Sequence, residues 1–249
     1  MAESSAPDIT ALRRSPLGHL AEEMRAGSVS GPRGVTLREV PFLAMTGIRV
    51  EPGSAAARTL CGVLGLELPS RVGQVTGSAD GNAILWQGPD EFLLVGQDAT
   101  HVPPGLTDRE REPGALPSLS THPLTAQLAA ALHESQEPGQ VVDLSANRTT
   151  LELSGPSARS VLEKGCPVDL HPRAFPVGTA VATTLGPVQV LLWRTGEETW
   201  RVLPRSSFAQ YTARWLLDAM TEYASPEVAR TDNRPRQRAP FPRDPQETP

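Results

Sequence analysis

The chain has 249 residues, enough to bury a sizeable core as one large or two small domains, with a formal net charge of −5, 4% aromatics and two cysteines. An acidic balance without a concentrated basic face argues against nucleic-acid binding, and so few aromatics argue against a base-stacking platform. No apolar run approaches the ~20 residues needed to cross a bilayer, and no apolar stretch follows Arg13-Arg14 as an export signal would require, so the expected location is the cytoplasm, with no membrane partner.

In chain order, residues 1–35 read as a polar arm rich in Gly, Ser and Pro with one amphipathic piece. Leu17, Leu20, Ala21 and Met24 recur at helical spacing, with Glu22, Glu23 and Arg25 facing away. So short a helix is marginal alone in water and must dock, either on its own body or on a partner. Residues 36–134 form a first half. An extended run over 42–50 leads into a small-residue helix from Ser54 through Ala55, Ala56, Ala57 and Leu60 to Cys61, stopped at Gly65. Next come Leu68-Pro69, Gly73, a strand ending Ile84-Leu85-Trp86, a turn over Gly88-Pro89-Asp90-Glu91 and a strand Phe92-Leu93-Leu94-Val95. Residues 98–118 carry Pro103, Pro104, Pro113 and Pro117 among charges and predict an exposed loop. A helix follows, with Ser120 or Thr121 as N-cap, Pro123 in its first turn and Leu124, Leu128, Ala131 and Leu132 on one face.

Residues 135–224 repeat this order. A strand over 150–153 leads to a helix Ser157-Ala158-Arg159-Ser160-Val161-Leu162 stopped at Gly165. Phe175-Pro176, Gly178, a strand ending Leu191-Leu192-Trp193, a turn over 195–198 and a strand Trp200-Arg201-Val202-Leu203 follow. A last helix, capped by Ser206 or Ser207, presents Phe208, Tyr211, Trp215, Leu216 and Met220 along one side. Residues 225–249 alternate Pro with Arg and acidic residues and predict a disordered tail. Both halves read strand, helix, strand, strand, strand, helix, which predicts an α+β fold with helices over one face of largely antiparallel sheets. The period is too long for a solenoid, so the halves read as a duplicated unit in which Trp86 and Trp193 fill matching core sites.

The usual catalytic constellations are missing, and no catalytic, cofactor-binding or metal-binding residue is assigned. His19, His101, His122, His133 and His171 are scattered without metal-ligand spacing. Cys61 and Cys166 have no second sulfur or His nearby in sequence and read as buried small apolar side chains. Gly31-Pro32-Arg33-Gly34 precedes a strand and is linker-like. Ser154-Gly155-Pro156 reads as a strand-to-helix turn with Pro at the first helical position rather than a nucleophile elbow. Asp90-Glu91 could supply an acid and a base, but neighbours in a hairpin turn point different ways and suit a solvated turn. The most unusual polar stretch is Asp143, Ser145, Asn147 and Arg148 between two apolar strands. It is either an Asx-type turn with Arg148 in a local ion pair, or a ligand or interface site in which Arg148 reaches an anion.

The segments VVDLSANRTTLELSGPSARSVLEKGCPVDLHPRAFPVG, SPLGHLAEEM and ILWQGPDEFLLVG resemble the gamma subunits of heterotetrameric sarcosine oxidases. The likeness spans about residues 15–224, apart from the central Pro-rich loop. More distantly, Asp143-Leu144-Ser145 and Leu151-Glu152-Leu153-Ser154-Gly155-Pro156 with Ala158 resemble the first motif of the glycine-cleavage T-protein, a folate-binding aminomethyltransferase built on a duplicated α+β unit. The resemblance implies that folate-binding fold, but the chain departs from T-protein chemistry. Ala146 and Asn147 stand where T-proteins carry His and Met, and Gly186-Pro187-Val188-Gln189-Val190-Leu191 replaces a strand with paired aspartates. Lys164-Gly165-Cys166 runs into Pro167-Val168-Asp169 where a related tRNA-modification family has Lys-Gly-Cys-Tyr, and Gly165 with Pro167 suits a helix stop. The implied role is that of a non-catalytic gamma subunit, with alpha, beta and delta partners. Such a complex demethylates sarcosine oxidatively to glycine, forming hydrogen peroxide and 5,10-methylenetetrahydrofolate or formaldehyde. FAD, FMN, NAD and tetrahydrofolate would lie on other subunits, with none bound by this chain alone. The alternatives are a free-standing folate-dependent aminomethyltransferase-like enzyme and a folate-binding module.

Overall fold

The computed structural model describes residues 13–97 and 122–224; the predicted loop over 98–118, the caps Ser120 and Thr121, His101 and the tail over 225–249 lie outside them. In chain order the described elements are α1 (Ala21–Ala26), β1 (Thr36–Glu39), β2 (Ala44–Arg49), α2 (Ala55–Leu64), β3 (Val75–Gly77), β4 (Ala83–Gly88), β5 (Glu91–Gly96) and α3 (Pro123–Ser135). Then come β6 (Gln140–Asp143), β7 (Leu151–Ser154), α4 (Ala158–Glu163), β8 (Ala180–Leu185), β9 (Val188–Arg194), β10 (Thr199–Pro204) and α5 (Ala209–Ala224).

The strands form two five-stranded sheets of order β3-β4-β5-β2-β6 and β8-β9-β10-β7-β1. Every ladder between these strands is antiparallel. Each sheet takes four strands from one half of the chain and its fifth from the other. β1 precedes β2 in sequence but pairs with β7, Leu37 opposite Leu153. β6 precedes β7 but pairs with β2, Val141 opposite Ile48.

Local chemistry accounts for the helix ends. The Ser54 hydroxyl accepts the Ala57 amide at 3.0 Å, the N-cap expected of a Ser before a small-residue helix. α2 ends at Gly65, whose φ of 63° is left-handed, where a residue without Cβ stops a helix at least cost. α3 is capped not at Ser120 or Thr121 but at His122, whose Nδ1 accepts the Leu124 amide at 3.3 Å. Pro156 lies before α4 rather than at its first position, since Ser157 is the N-cap residue and the helix begins at Ala158.

The sheets stack face to face, with helices on the two outer faces. Met45, Leu85, Leu93 and Val95 of one inner face meet Leu191, Trp193 and Leu203 of the other. On the first outer face, Ile48, Ile84, Phe92 and Leu94 pack against Leu60 of α2 and Leu128 of α3. On the second, Leu153, Val190, Leu192, Trp200 and Val202 pack against Val161 of α4 and Leu216 of α5. The N-terminal amphipathic piece docks on this same layer through Leu17, Leu20 and Met24, all buried, which answers where it docks; Ala21 is exposed, contrary to its place in the expected stripe. Among the described residues no helix is long and apolar enough to cross a membrane.

Two expectations are corrected. Trp86 and Trp193 do not occupy matching sites: Trp86 packs on the helix side of its sheet and Trp193 lies between the sheets. Trp86 pairs with Phe92 and Trp193 with Arg201, so aligning Phe92 with Trp200 sets Trp193 against Leu85. A one-residue offset in a strand reverses the face. The expected face of α5 holds at Leu216 and Met220, which are buried, and at Trp215, which packs on the core, but not at Phe208 and Tyr211. Ala209, Thr212, Ala213, Leu216, Ala219 and Met220 are buried, while Phe208 and Tyr211 are each 49% exposed. These positions recur every three or four residues, and Leu216 and Met220 supply the large side chains of that face.

Candidate functional site

The polar stretch after β6 is an Asx turn, and it ties three elements together. Asp143 Oδ1 accepts the Ser145 amide at 2.9 Å and its hydroxyl at 2.6 Å, the local bonding that Asx turns use. Oδ2 accepts the His122 amide at 2.9 Å, anchoring the start of α3 to β6, and the Met45 amide of β2 donates to Ser145 Oγ at 3.1 Å. Burial pushes the Asp143 pKa up, but bonds from the Ser145 side chain and the His122 and Ser145 amides outweigh it and hold the carboxyl below its ordinary value.

Arg148, at the end of the stretch, forms no ion pair among the described residues. Its Nη1 donates to the Leu203 carbonyl at 3.0 Å. Its side chain lines a cleft of about 440 Å³ where the two sheets part, together with Gln87, Glu91, Gln189 and Arg205. The alternation along β9 explains Gln189. Val188, Val190 and Leu192 face the helices, Leu191 and Trp193 face the other sheet, and Gln189 continues that inner row to where it opens. No carboxylate comes from β9. The single acidic residue lining the cleft is Glu91. Its neighbour Asp90 turns away and accepts Arg49 Nε at 3.1 Å, so the hairpin separates the pair as expected of turn neighbours. Arg205 is the site residue that sequence reasoning missed; its position just beyond Leu203 of β10 carries no periodic signal.

The remaining candidates are scattered. Among the described residues no group of three or more His, Cys, Asp or Glu is placed to hold a metal ion. Cys166 is buried; Cys61 is half-buried, and burial pushes its thiol pKa up, away from a reactive thiolate. Gly165 is not a left-handed helix stop. A Cβ there would lie 2.5 Å from the Trp215 ring and 3.0 Å from the Gly186 amide nitrogen, so the glycine admits the indole of α5. Lys164 ties the same two helices together, donating to the Ala219 carbonyl and pairing with Glu222 at 3.1 Å.

Two buried arginines, which the residue pattern gives no reason to single out, fasten the second sheet. Arg194, 3% exposed, donates to the carbonyls of Phe175 and Glu197 at 2.8 and 2.7 Å. Arg201 of β10 reaches Glu152 at 3.5 Å and, across to the first half, the Ala79 carbonyl at 3.2 Å.

Residues 116–222 match the family described as sarcosine oxidase, gamma subunit family. The sarcosine oxidase gamma subunits of Arthrobacter sp. and of Corynebacterium sp. strain U-96 are 50% and 48% identical to the chain over 229 residues, covering 92% of it and 100% of each relative. The heterotetrameric sarcosine oxidase from Corynebacterium sp. U-96, solved with pyrrole 2-carboxylate, contains a chain similar to this one with a TM-score of 0.76 and 48% identity, over 88% of this chain and 100% of that one. The glycine cleavage system aminomethyltransferase T from Bartonella henselae shares the fold with a TM-score of 0.50 at 17% identity, over 83% of this chain and 57% of that one.

Proposed function

The chain belongs to the sarcosine oxidase gamma subunit family, and from that premise we propose that it serves a cytoplasmic heterotetrameric oxidase as a structural subunit, contributing surface and stability rather than chemistry. The observation that carries this reading is identity of about one residue in two along the full length of curated gamma subunits. The assembly would contain alpha, beta and delta chains. It would oxidise sarcosine to glycine, with hydrogen peroxide and 5,10-methylenetetrahydrofolate or formaldehyde as the other products.

The residues present support placing the redox groups elsewhere. A dinucleotide site of the usual kind needs a parallel strand-helix-strand unit with a glycine-rich turn, whereas every ladder between the strands described here is antiparallel. FAD, FMN and NAD therefore fit the partner chains better. For folate chemistry, Gln189 cannot transfer a proton at neutral pH as an aspartate on this strand would. The two halves are read as copies of one half-domain resembling the folate-binding domain of T-proteins. The shared strand order and the likeness to aminomethyltransferase T support that reading. Residues 36–134 and 135–224 would be the two copies and 1–35 an arm.

Co-expression with the neighbouring open reading frames tests the proposal. The chain should co-elute with a flavin-containing oxidase, and alone it should be colourless and inactive. One feature favours a rival reading, an enzyme of the aminomethyltransferase kind: the Glu91 carboxylate lines the cleft. If Glu91→Gln in the assembled complex cut turnover per flavin by about 10²–10⁴-fold, as loss of a general acid or base does, the chemistry would belong to this chain.

A further inference from the structure

The cleft contains a charge arrangement that a purely structural role does not use. Arg148 and Arg205 form an isolated antiparallel bridge. Residues directly opposite on such a ladder project their side chains to the same side, with Cβ atoms about 4.5–5.5 Å apart. Both residues line the cleft of about 440 Å³, a volume within the range of about 300–1,000 Å³ typical of small-molecule sites. Like charges directly opposite one another destabilise a sheet. Arg148 registers the cost, for burial and then the Arg205 charge lower its pKa. One of its donors is committed to the Leu203 carbonyl, out of the five that a guanidinium carries. The Arg205 side chain is exposed at the mouth of the cleft and has no hydrogen-bond or ion-pair partner among the described residues. Glu91 opposes the two cations with one negative charge, which leaves the cleft with a surplus of one positive charge.

We infer that this cleft is a carboxylate site, in which Arg148 and Arg205 together grip one carboxylate while Thr183 and Gln189 offer hydrogen bonds to the body that bears it. Planar guanidinium forks match the two oxygens of a carboxylate. The surplus of one charge suits a monoanion better than a phosphate dianion, which Glu91 would repel. The carboxylate comes either from a small free acid or from an acidic side chain of a partner subunit. The assignment rests on residues of this chain and holds whether or not the chain is catalytically silent.

The test titrates glutaramate, which carries one carboxylate and one amide, into the full-length chain, alone and in the co-purified complex, and follows complex integrity against rising salt. Arg148→Gln/Arg205→Gln should weaken glutaramate binding roughly tenfold or more, the worth of one charge-assisted hydrogen bond. Glu91→Gln should tighten it, a gain that a merely structural role would not produce. If the wild-type chain ignores glutaramate, but the double variant sheds its partners at lower salt and Glu91→Gln holds them to higher salt, the carboxylate is a partner's side chain and the site stands. If the double variant fails to fold, the isosteric Glu91→Gln decides alone. No change in either readout for Glu91→Gln, or for a folded double variant, overturns the inference. Co-elution of the wild-type chain with its partners is scored separately, so a failed assembly role is not confused with an absent site.

Discussion

Asp143 joins β6 to the start of α3 through hydrogen bonds to both of its oxygens, reaches β2 only through Ser145, and the charge itself is part of the joint. Its pKa is depressed on folding, so its contribution is complete above the unfolded carboxylate value and is lost as pH falls through the lower folded value. Asp143→Ala should cost about 1–2 kcal/mol near neutrality, the usual range for a lost cap. The gap from wild type in urea midpoints should hold from neutrality down to about pH 4, the ordinary carboxylate range, and narrow below it. A gap that stays constant would mean that the charge adds nothing to the joint. The Asx turn itself was legible, because Asp, Ser and Asn alternating between apolar strands have few other uses. The Arg148 contact was not. Its acceptor, the Leu203 carbonyl, lies 55 positions away, and no spacing rule reaches that far.

Between elements, two joints on the second sheet invite measurement. Leu20, 3% exposed, seats the N-terminal helical segment, and Leu20→Ala should cost about 2–5 kcal/mol as a buried leucine truncation does. Unfolding unchanged by that variant would mean that the arm is not part of the cooperative unit. At the α4–α5 contact, Gly165→Ala would drive a methyl into the rigid Trp215 ring and should destabilise by about 1–3 kcal/mol, as overpacking does. Adding Trp215→Leu should recover part of that loss, and thermal unfolding of the single and double variants would show whether it does. Helix positions were readable from periodicity and caps, as α2 between Ser54 and Gly65 illustrates. The buried face of α5 was legible only in part: Leu216 and Met220 are on it, but Ala209, Ala213 and Ala219 share it, and a pattern weighted by side-chain size adds Phe208 and Tyr211, which are exposed. The strand registers were hidden: Trp86 and Trp193 look alike in sequence, and a single residue of offset puts them on opposite faces.

At the scale of the molecule, the class was legible because each half carries its own punctuation, but the expected order lacked one strand in each half, since β1 precedes β2 and β6 precedes β7 before the first helix of each. The cleft was not, since its walls come from β4, β5, β8, β9 and three connecting segments whose convergence depends on how the sheets stack. If the chain acts through assembly, Asp90→Asn, which breaks the exposed pair with Arg49, should alter complex yield by a small factor and leave turnover per flavin unchanged; a fall in turnover at constant flavin content would contradict this. The reciprocal exchange of β1 and β6 also governs how the chain can be made. Thr36 bonds Ser154, 118 positions further on, so a nascent chain emerging from the ribosome cannot finish either sheet until both halves are out. The first half must wait with β1 unpaired and its partner face bare, and contacts this distant in sequence slow the search for the native state. Cutting the gene between the halves should therefore not yield two self-sufficient pieces. It should yield two fragments that aggregate apart and recover structure only when refolded together.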